Sequence, residues 1–316
     1  MTVPNNAFLF PGQGSQAPGM GKALSEASAT ARAVFEEVDD ALEQNLSKLM
    51  FEGPEDELTL TANAQPAIFA HSMAVLRILE RDAGMSTSGT ARFVAGHSLG
   101  EYSALAAAGS LGLTETARLL RVRGDAMQAA VPVGVGAMAA LLGLDFEDAA
   151  AAAAEGARDG EICVAANDNA PGQVVISGHK AAVERAIEAA KARGAKRGLL
   201  LPVSAPFHSP LMQPAATRMA AALADAALDA PTVPVVTNVT AAPETDPARL
   251  KSLLVEQVTG TVRWRESIEA MVAGGATQAV ELGAKVVGPM VKRITKDVAP
   301  VSIVTMDDIE AFAKTL

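Results

Sequence analysis

The spacing of apolar side chains divides this chain into segments with two different periods. A four-residue apolar run at 7–10 (AFLF), closed by Pro11-Gly12, predicts a buried strand that opens into a glycine-rich loop. Helical spacing follows at 22–50 and again at 64–82, where Ile68, Val75, Leu76 and Leu79 share a face. RFVAG at 92–96 predicts a second strand, running into His97-Ser98-Leu99-Gly100 and a helix of small residues at 99–108. A further helix near 114–130 carries Arg118, Arg121 and Arg123.

From about 131 to 202 the pattern changes. GAMAALLGL predicts a strand, DFEDAAAAAAEGA a helix, EICVAAND and QVVISG two strands, HKAAVERAIEAAKARG a helix and KRGLLLPV a last strand. The alanine run at 149–154 belongs to the first of these helices, because alanine has the highest helix propensity. The order βαββαβ is that of a split βαβ, or ferredoxin-like, unit. After 204 the chain returns to helices and short strands, VPVVTN (233–238) and QAVELG (278–283) among them. The expected fold is therefore α/β. A large α/β-hydrolase-like domain with a parallel sheet, from residues 1–128 and 204–316, carries an inserted ferredoxin-like subdomain at 129–203.

Length and composition narrow the function. The chain has 316 residues, 49% of them hydrophobic, enough to bury a sizeable core. Its 26 Lys and Arg against 36 Asp and Glu leave a net charge of −10, which argues against nucleic acid as a partner. An acidic protein partner would have to dock on a local basic patch. The opening MTVPNNAFLFPGQG lacks a charged segment followed by a long apolar run, and no stretch of about 18 apolar residues occurs. Neither a signal peptide nor a membrane is expected, and the expected location is cytoplasmic. The single cysteine, Cys163, reads as a small buried hydrophobe in a strand, and no cluster has metal-ligand spacing. Gly12-Gln13-Gly14 is half a dinucleotide fingerprint without its third glycine or acidic partner, so no nicotinamide or flavin is expected. Glu55-Asp56-Glu57 reads as helix-start or loop charge.

The strongest chemical signal is Gly96-His97-Ser98-Leu99-Gly100, a G-x-S-x-G between a strand and a helix. Such a turn lifts the serine out of the sheet and sets it at a helix N-terminus, where free N–H groups favour a developing oxyanion. The hydroxyl needs a base, and four histidines are available. His71 lies mid-helix among apolar residues and His179 begins the second insert helix, so both read as structural. His97 adjoins the serine but should point away from it, in a positioning role. His208, in the rigid loop Ser204-Ala205-Pro206-Phe207-His208-Ser209-Pro210 where the chain re-enters the large domain, is the expected base.

Phe10-Pro11-Gly12-Gln13-Gly14-Ser15-Gln16, Gly96-His97-Ser98-Leu99-Gly100-Glu101-Tyr102, Arg123-Gly124 and Phe207-His208-Ser209 stand in the order seen in malonyl-CoA:acyl carrier protein transacylases. The resemblance extends to the acyltransferase domains of polyketide and fatty acid synthases and covers residues 7 to about 295. Asn167 to Gly178 resembles the family's insert strand pair, and Leu254-Val255-Glu256-Gln257 with Val262-Arg263-Trp264 its segment near the histidine. The resemblance implies Ser98 as nucleophile and His208 as base and acid. It implies backbone N–H groups of Gln13 and Leu99 as the oxyanion hole, Arg123 as the grip on the malonyl carboxylate, and the main-chain carbonyl of Gln257 as the group orienting His208. Phe207, preceded here by Ala205-Pro206, resembles malonyl-selective members, since methylmalonyl-selective domains tend to have a small residue there. Malonyl-CoA is then a substrate, phosphopantetheine arrives on the acyl carrier protein, and no cofactor is held permanently. A stand-alone chain favours fatty acid synthesis over polyketide synthesis.

The residues fit that chemistry on their own terms. Arginine clamps a carboxylate through two parallel charge-assisted bonds, whereas Arg118 and Arg121 read as solvated helix positions. A serine hydrolase would recruit an acid to steer the base and needs no such arginine; Arg123 and the FPGQGSQ loop separate the two readings. A non-catalytic docking subunit would lack Ser98 or His208. Carrier proteins are usually acidic, and Lys285, Lys292, Arg293 and Lys296 on a C-terminal helix, or Lys191, Arg193, Lys196 and Arg197 on the insert, are candidates to meet one, or else solvated faces.

Overall fold

The computed structural model describes residues 5–203 and 205–316. Residues 1–4, at the head of the expected large domain, and Ser204, at its re-entry and in the loop before His208, lie outside the described residues. Among the described residues ten strands form two sheets: β1 (Asn6–Phe10), β2 (Ala91–Gly96), β3 (Gly136–Leu142), β4 (Cys163–Ala170), β5 (Gln173–His179), β6 (Arg197–Leu200), β7 (Val235–Val236), β8 (Pro243–Glu244), β9 (Gln278–Leu282) and β10 (Ala299–Ile303).

The first sheet has the order β10-β9-β1-β2-β7-β8. Its pairs are parallel from β10 to β7, while β8 returns antiparallel to β7. The sheet is thus mixed at one edge rather than wholly parallel. The chain turns over at 237–241 and lays only two residues back against β7, so VPVVTN shortens to Val235–Val236. Both faces of β1 are covered. Phe8 and Phe10 enter the main core with the helix Thr61–Arg81, while Ala7 and Leu9 pack with Trp264, Ile268 and Met271. Burial on both sides explains why AFLF is a continuous apolar run and does not alternate.

The expected helical stretch at 22–50 is three helices, Lys22–Ala27, Ala29–Leu42 and Leu46–Glu52. Polar caps cut it: the Ser28 side chain accepts from Ala31 N–H and the Asn45 side chain from Lys48 N–H. Glu55, Asp56 and Glu57 occupy the first turn of the helix Glu55–Thr59, where carboxylates meet the positive end of the helix dipole.

The second sheet, order β4-β5-β3-β6, is antiparallel throughout. Its strands alternate as the pleat requires. Ala139, Leu141, Val174 and Ile176 pack on the helices Phe146–Gly156 and Lys180–Ala192, with Cys163 buried beside them. Met138, Ala140 and Val175 face the main core instead. The free edge of β4 is tied to the rest of the chain: Val262 N–H donates to Ala166 O at 2.8 Å, Asp168 N–H donates to Val262 O at 2.9 Å, and Arg265 pairs with Asp168 at 2.8 Å. This strap holds the second sheet over the carboxyl ends of β1 and β2. Among the described residues no helix is long and apolar enough to cross a membrane.

His71 is buried inside the helix Thr61–Arg81, and desolvation pushes its imidazole down to about 4 from 6.5. Between those values the unfolded chain binds a proton that the native fold refuses, so stability present above pH 6.5 is lost as pH falls. We expect melting temperature to drop from pH 6.5 towards about 4, and the drop to be shallower in His71→Gln. An unchanged slope in that variant would assign the acid sensitivity to other groups.

Candidate active site

The site forms where β1, β2, β7 and β9, four parallel neighbours, end on the same side of the sheet. The turn after β2 is drawn tight by contact between backbones. A Cβ on Gly96 would lie 1.8 Å from the carbonyl of Gly100, and one on Gly100 would lie 2.5 Å from Phe10 O. Only glycine fits either position. Ser98 takes up the curvature with a φ of 54°, a left-handed conformation uncommon for a residue with a side chain. Gly12 lets the loop after β1 approach this turn, because a Cβ there would meet His97 O at 2.8 Å.

Ser98 Oγ lies 2.7 Å from His208 Nε2, and His208 Nδ1 lies 2.9 Å from the main-chain oxygen of Gln257. A carbonyl only accepts, so Nδ1 carries the proton and Nε2 is the free lone pair facing the hydroxyl. His208 is buried, also has a left-handed φ, 55°, and is driven down to about 3 by desolvation and then by the nearby Arg123 charge. It is neutral across the physiological range. Among the described residues no carboxylate touches it, and Nδ1 meets the Gln257 carbonyl instead.

Arg123 projects from the helix Leu113–Ala129 and is 1% exposed. At Gly124 this helix touches the helix Thr61–Arg81 backbone to backbone, since a Cβ there would meet Thr61 O at 2.7 Å. That crossing brings Arg123 beside Gln65, whose Oε1 accepts from Nη1 at 2.8 Å. Nη2 donates to Ser98 Oγ at 3.1 Å and to Gln257 Oε1 at 2.9 Å, and Nε is buried without a partner. The Tyr102 ring lies 5.8 Å from the guanidinium carbon.

Asn238, just past β7, braces the turn from below. Its Oδ1 accepts from Ser98 N–H at 2.7 Å, and its Nδ2 donates to Gly96 O at 2.7 Å. Ser98 N–H is therefore engaged, while the N–H groups of Gln13 and Leu99 have no acceptor among the described residues. Gln13 is anchored through its side chain, which accepts from Thr61 Oγ1 at 3.0 Å.

These groups open on a cleft of about 480 Å³ lined by Gln13, His97, Ser98, Leu99, Arg123, Phe207 and His208 on the side of the first sheet. Met138, Asn167, Asn169 and Val175 of the second sheet and Val287 and Met290 of the helix Val287–Ile294 close it. Ser98, His208, Gln13, Leu99, Arg123, His97 and Phe207 thus meet in one place, while Gln257 is buried behind the wall. His97 makes no hydrogen bond to Ser98: its Nε2 bonds Asn169 Oδ1 at 2.8 Å and its ring packs edge-on against Trp264. His71 and His179 stand apart, and His179 Nδ1 accepts from Ile162 N–H. Arg118 and Arg121 are more than solvated charges, for they tie the helix to Ala41 O and to Gln44 and Asn63. Gln65, Asn238 and Asn169 are the residues the sequence reading missed. A glutamine in an otherwise apolar helix interior, and polar residues at strand ends, were the available signals.

Comparison with known proteins agrees with this geometry. The acyl transferase domain family matches residues 7–304. The malonyl CoA-acyl carrier protein transacylase of Bacillus subtilis is 45% identical over 98% of this chain and 96% of its own length. The crystal structure of an acyl-carrier-protein S-malonyltransferase from Bartonella henselae superposes with a TM-score of 0.96 at 56% identity, covering 98% of this chain and 99% of that one. A malonyl-transacylase in complex with a type II PKS acyl-carrier protein superposes at 0.95 with 40% identity, covering 99% of this chain and all (100%) of that one. A serine–histidine pair with a carbonyl for its third member and an arginine at the hydroxyl defines an acyl-transferring enzyme. The chain belongs to the acyl transferase family.

Removing the Asn238 side chain strips both Ser98 N–H and Gly96 O of their partners. Asn238→Ala should lower unfolding stability by about 1–3 kcal/mol in chemical denaturation, the cost of unsatisfied buried polar groups; a loss within error would show that water replaces the amide.

Proposed function

We propose that this enzyme transfers the malonyl group of malonyl-CoA to the phosphopantetheine thiol of an acyl carrier protein, through an ester on Ser98, for fatty acid synthesis in the cytoplasm. The observation that carries the reading is the position of Ser98 Oγ, held between the neutral Nε2 of His208 and the Nη2 of Arg123. Ser98 Oγ attacks the thioester carbon as its proton passes to His208 Nε2. The oxyanion rests on the N–H groups of Gln13 and Leu99. Collapse breaks the carbon–sulfur bond, and His208 returns the proton to the departing coenzyme A thiol. The carrier's thiol then gives its proton to His208, attacks the ester, and Ser98 regains its hydrogen.

Arg123 fits a carboxylate because its Nε–H is unpaired and its other partners are all neutral. Phe207 narrows the cleft against a branched acyl group, and His97, tied to Asn169, forms the wall beside it. The strand order and antiparallel pairing of the second sheet support its reading as a ferredoxin-like subdomain at 129–203. Residues 1–128 and 204–316 then make up the α/β-hydrolase-like part.

For the carrier protein, the helix Val287–Ile294 offers the better surface. It lines the cleft mouth through Val287 and Met290 and carries Lys292 and Arg293 in its last turn. Lys285 and Lys296 fall outside the helix, whereas Lys191 and Arg193 of the other group are paired with Glu188 and Glu155. Reversing Lys292 and Arg293 to Glu should raise KM for the carrier and leave KM for malonyl-CoA alone; equal effects on both would remove this surface.

The direct test mixes the protein with malonyl-CoA, quenches within seconds and reads the intact mass. A malonyl adduct is expected on the wild type and none on Ser98→Ala. Arg123→Ala should lose malonylation by about 1.5–3 kcal/mol, on the order of tenfold to a hundredfold, while acetyl transfer suffers less. Free coenzyme A without an adduct would indicate hydrolysis.

A further inference from the structure

Glu101 lies three residues beyond Ser98, in the first turn of the helix Gly100–Ala107, and the transfer as described makes no use of it. It is fully buried, and desolvation raises its carboxyl to about 7 against the hydrogen bonds it receives. Oε2 accepts from Asn238 N–H and from Gln257 Nε2, each at 2.9 Å, while Oε1 is buried without a partner. Gln257 is therefore caught between a group that accepts and a group that only donates. Its NH2 donates to Glu101 Oε2 at 2.9 Å, to the main-chain oxygen of Ser98 at 3.0 Å and to Asn238 Oδ1 at 3.3 Å, so its side-chain oxygen faces Arg123 Nη2. Turned over, the amide would set N–H against guanidinium and oxygen against carboxylate. The main-chain oxygen of the same residue meets His208. Gln257 thus brings one oxygen to the arginine, which matters only for acyl groups bearing a carboxylate, and another to the base, which serves every acyl donor.

We propose that Glu101 is a positioning residue for malonyl transfer: its carboxylate, together with the Ser98 carbonyl, fixes the orientation of the Gln257 amide and, through it, holds the Arg123 guanidinium against Ser98. The inference rests on the malonyl-transfer reading of the site. Among the described residues two other acids are buried, and both are committed elsewhere. Asp168 pairs with Arg265, and Glu281 accepts from the amides of Val286, Val287 and Gly288 at the start of the helix Val287–Ile294. Glu101 is the carboxylate whose charge Arg123 feels.

The test compares acylation of Ser98 by malonyl-CoA and by acetyl-CoA in the full-length wild type, Glu101→Gln, Gln257→Ala and the double variant, with a thermal melt of each. Glu101→Gln keeps shape and an acceptor oxygen but removes the charge, leaving only the neutral oxygens of Ser98 and Asn238 and the new amide to hold the Gln257 NH2. It should melt within a few degrees of wild type, and its preference for malonyl over acetyl should fall about tenfold, the scale of one charge-assisted hydrogen bond. Gln257→Ala keeps the main-chain carbonyl and should lose the same preference, with no further loss in the double variant. A wild-type preference in Glu101→Gln, or equal losses with both donors that follow the melt, would overturn the proposal and leave Glu101 a structural carboxylate. Should Glu101→Gln fail to fold, Glu101→Asp, which keeps the charge and shortens its reach, carries the same comparison under the same criteria. A wild type that forms no malonyl ester would instead remove the transfer reading itself, and would do so before any variant is examined.

Discussion

A guanidinium sits in the protein interior with no carboxylate against it, and much of the surrounding structure serves to hold it there. Arg123 is satisfied by Gln65, Gln257 and the Ser98 hydroxyl, all neutral, with an aromatic face nearby. Burying a charge among neutral dipoles is costly unless its donors are well met. The unpaired Nε–H and the absence of a directly bonded anion leave that cost partly uncompensated. A ligand that brings its own carboxylate recovers it, and on the proposed reading this is how the site favours malonyl over acyl groups without a charge. Burial first, and then the same positive charge, keep the neighbouring His208 neutral, so on the proposed reading the arginine that selects the acyl group also adds to holding the base unprotonated.

The second constraint is steric. The contacts at Gly12, Gly96, Gly100 and Gly124 allow the loop after β1, the turn after β2 and two helices to approach closer than any side chain would permit. Their consequence is convergence: Gln13, Ser98, Asn238 and Arg123 come from four chain segments yet share one hydrogen-bonded network. The strap at Val262 and the Arg265–Asp168 pair then fix the second sheet as the roof. Thr261 and Val262 lie only a few residues beyond Gln257, so the strap and the carbonyl that steers His208 belong to one short stretch of chain.

Much of this was legible in the sequence, for identifiable reasons. The strands at 7–10 and 92–96 could be read because burial on both faces leaves short apolar runs, AFLF and, after Arg92, FVAG. The βαββαβ order could be read because the two helices, Phe146–Gly156 and Lys180–Ala192, each bury one face between apolar strand segments. Ser98 stood out because its turn requires two glycines at fixed spacing. The division of 22–50 into three helices was hidden, since Ser28 and Asn45 act as caps only through local side-chain bonds that periodicity does not register. The strand at 233–238 was legible but only Val235–Val236 of it pairs, and the two-residue β8 was hidden, because its pairing depends on a turn at 237–241. Gln65 and Asn238 escaped notice, and Glu101 was read only as part of a motif, for a different reason. Each is polar in a segment whose pattern is apolar, and what it does depends on partners more than fifty residues away.

The most direct test of the account is the structure of the acyl-enzyme itself, trapped by exposing crystals of the wild type to malonyl-CoA in the absence of carrier protein. The ester should lie on Ser98 Oγ with its carboxylate on the Arg123 guanidinium. Its carbonyl oxygen should sit about 3 Å from the N–H groups of Gln13 and Leu99. A malonyl carboxylate turned away from Arg123 towards the cleft mouth, with the guanidinium still bound only to Gln65 and Gln257, would contradict the claim that the buried charge selects the acyl group.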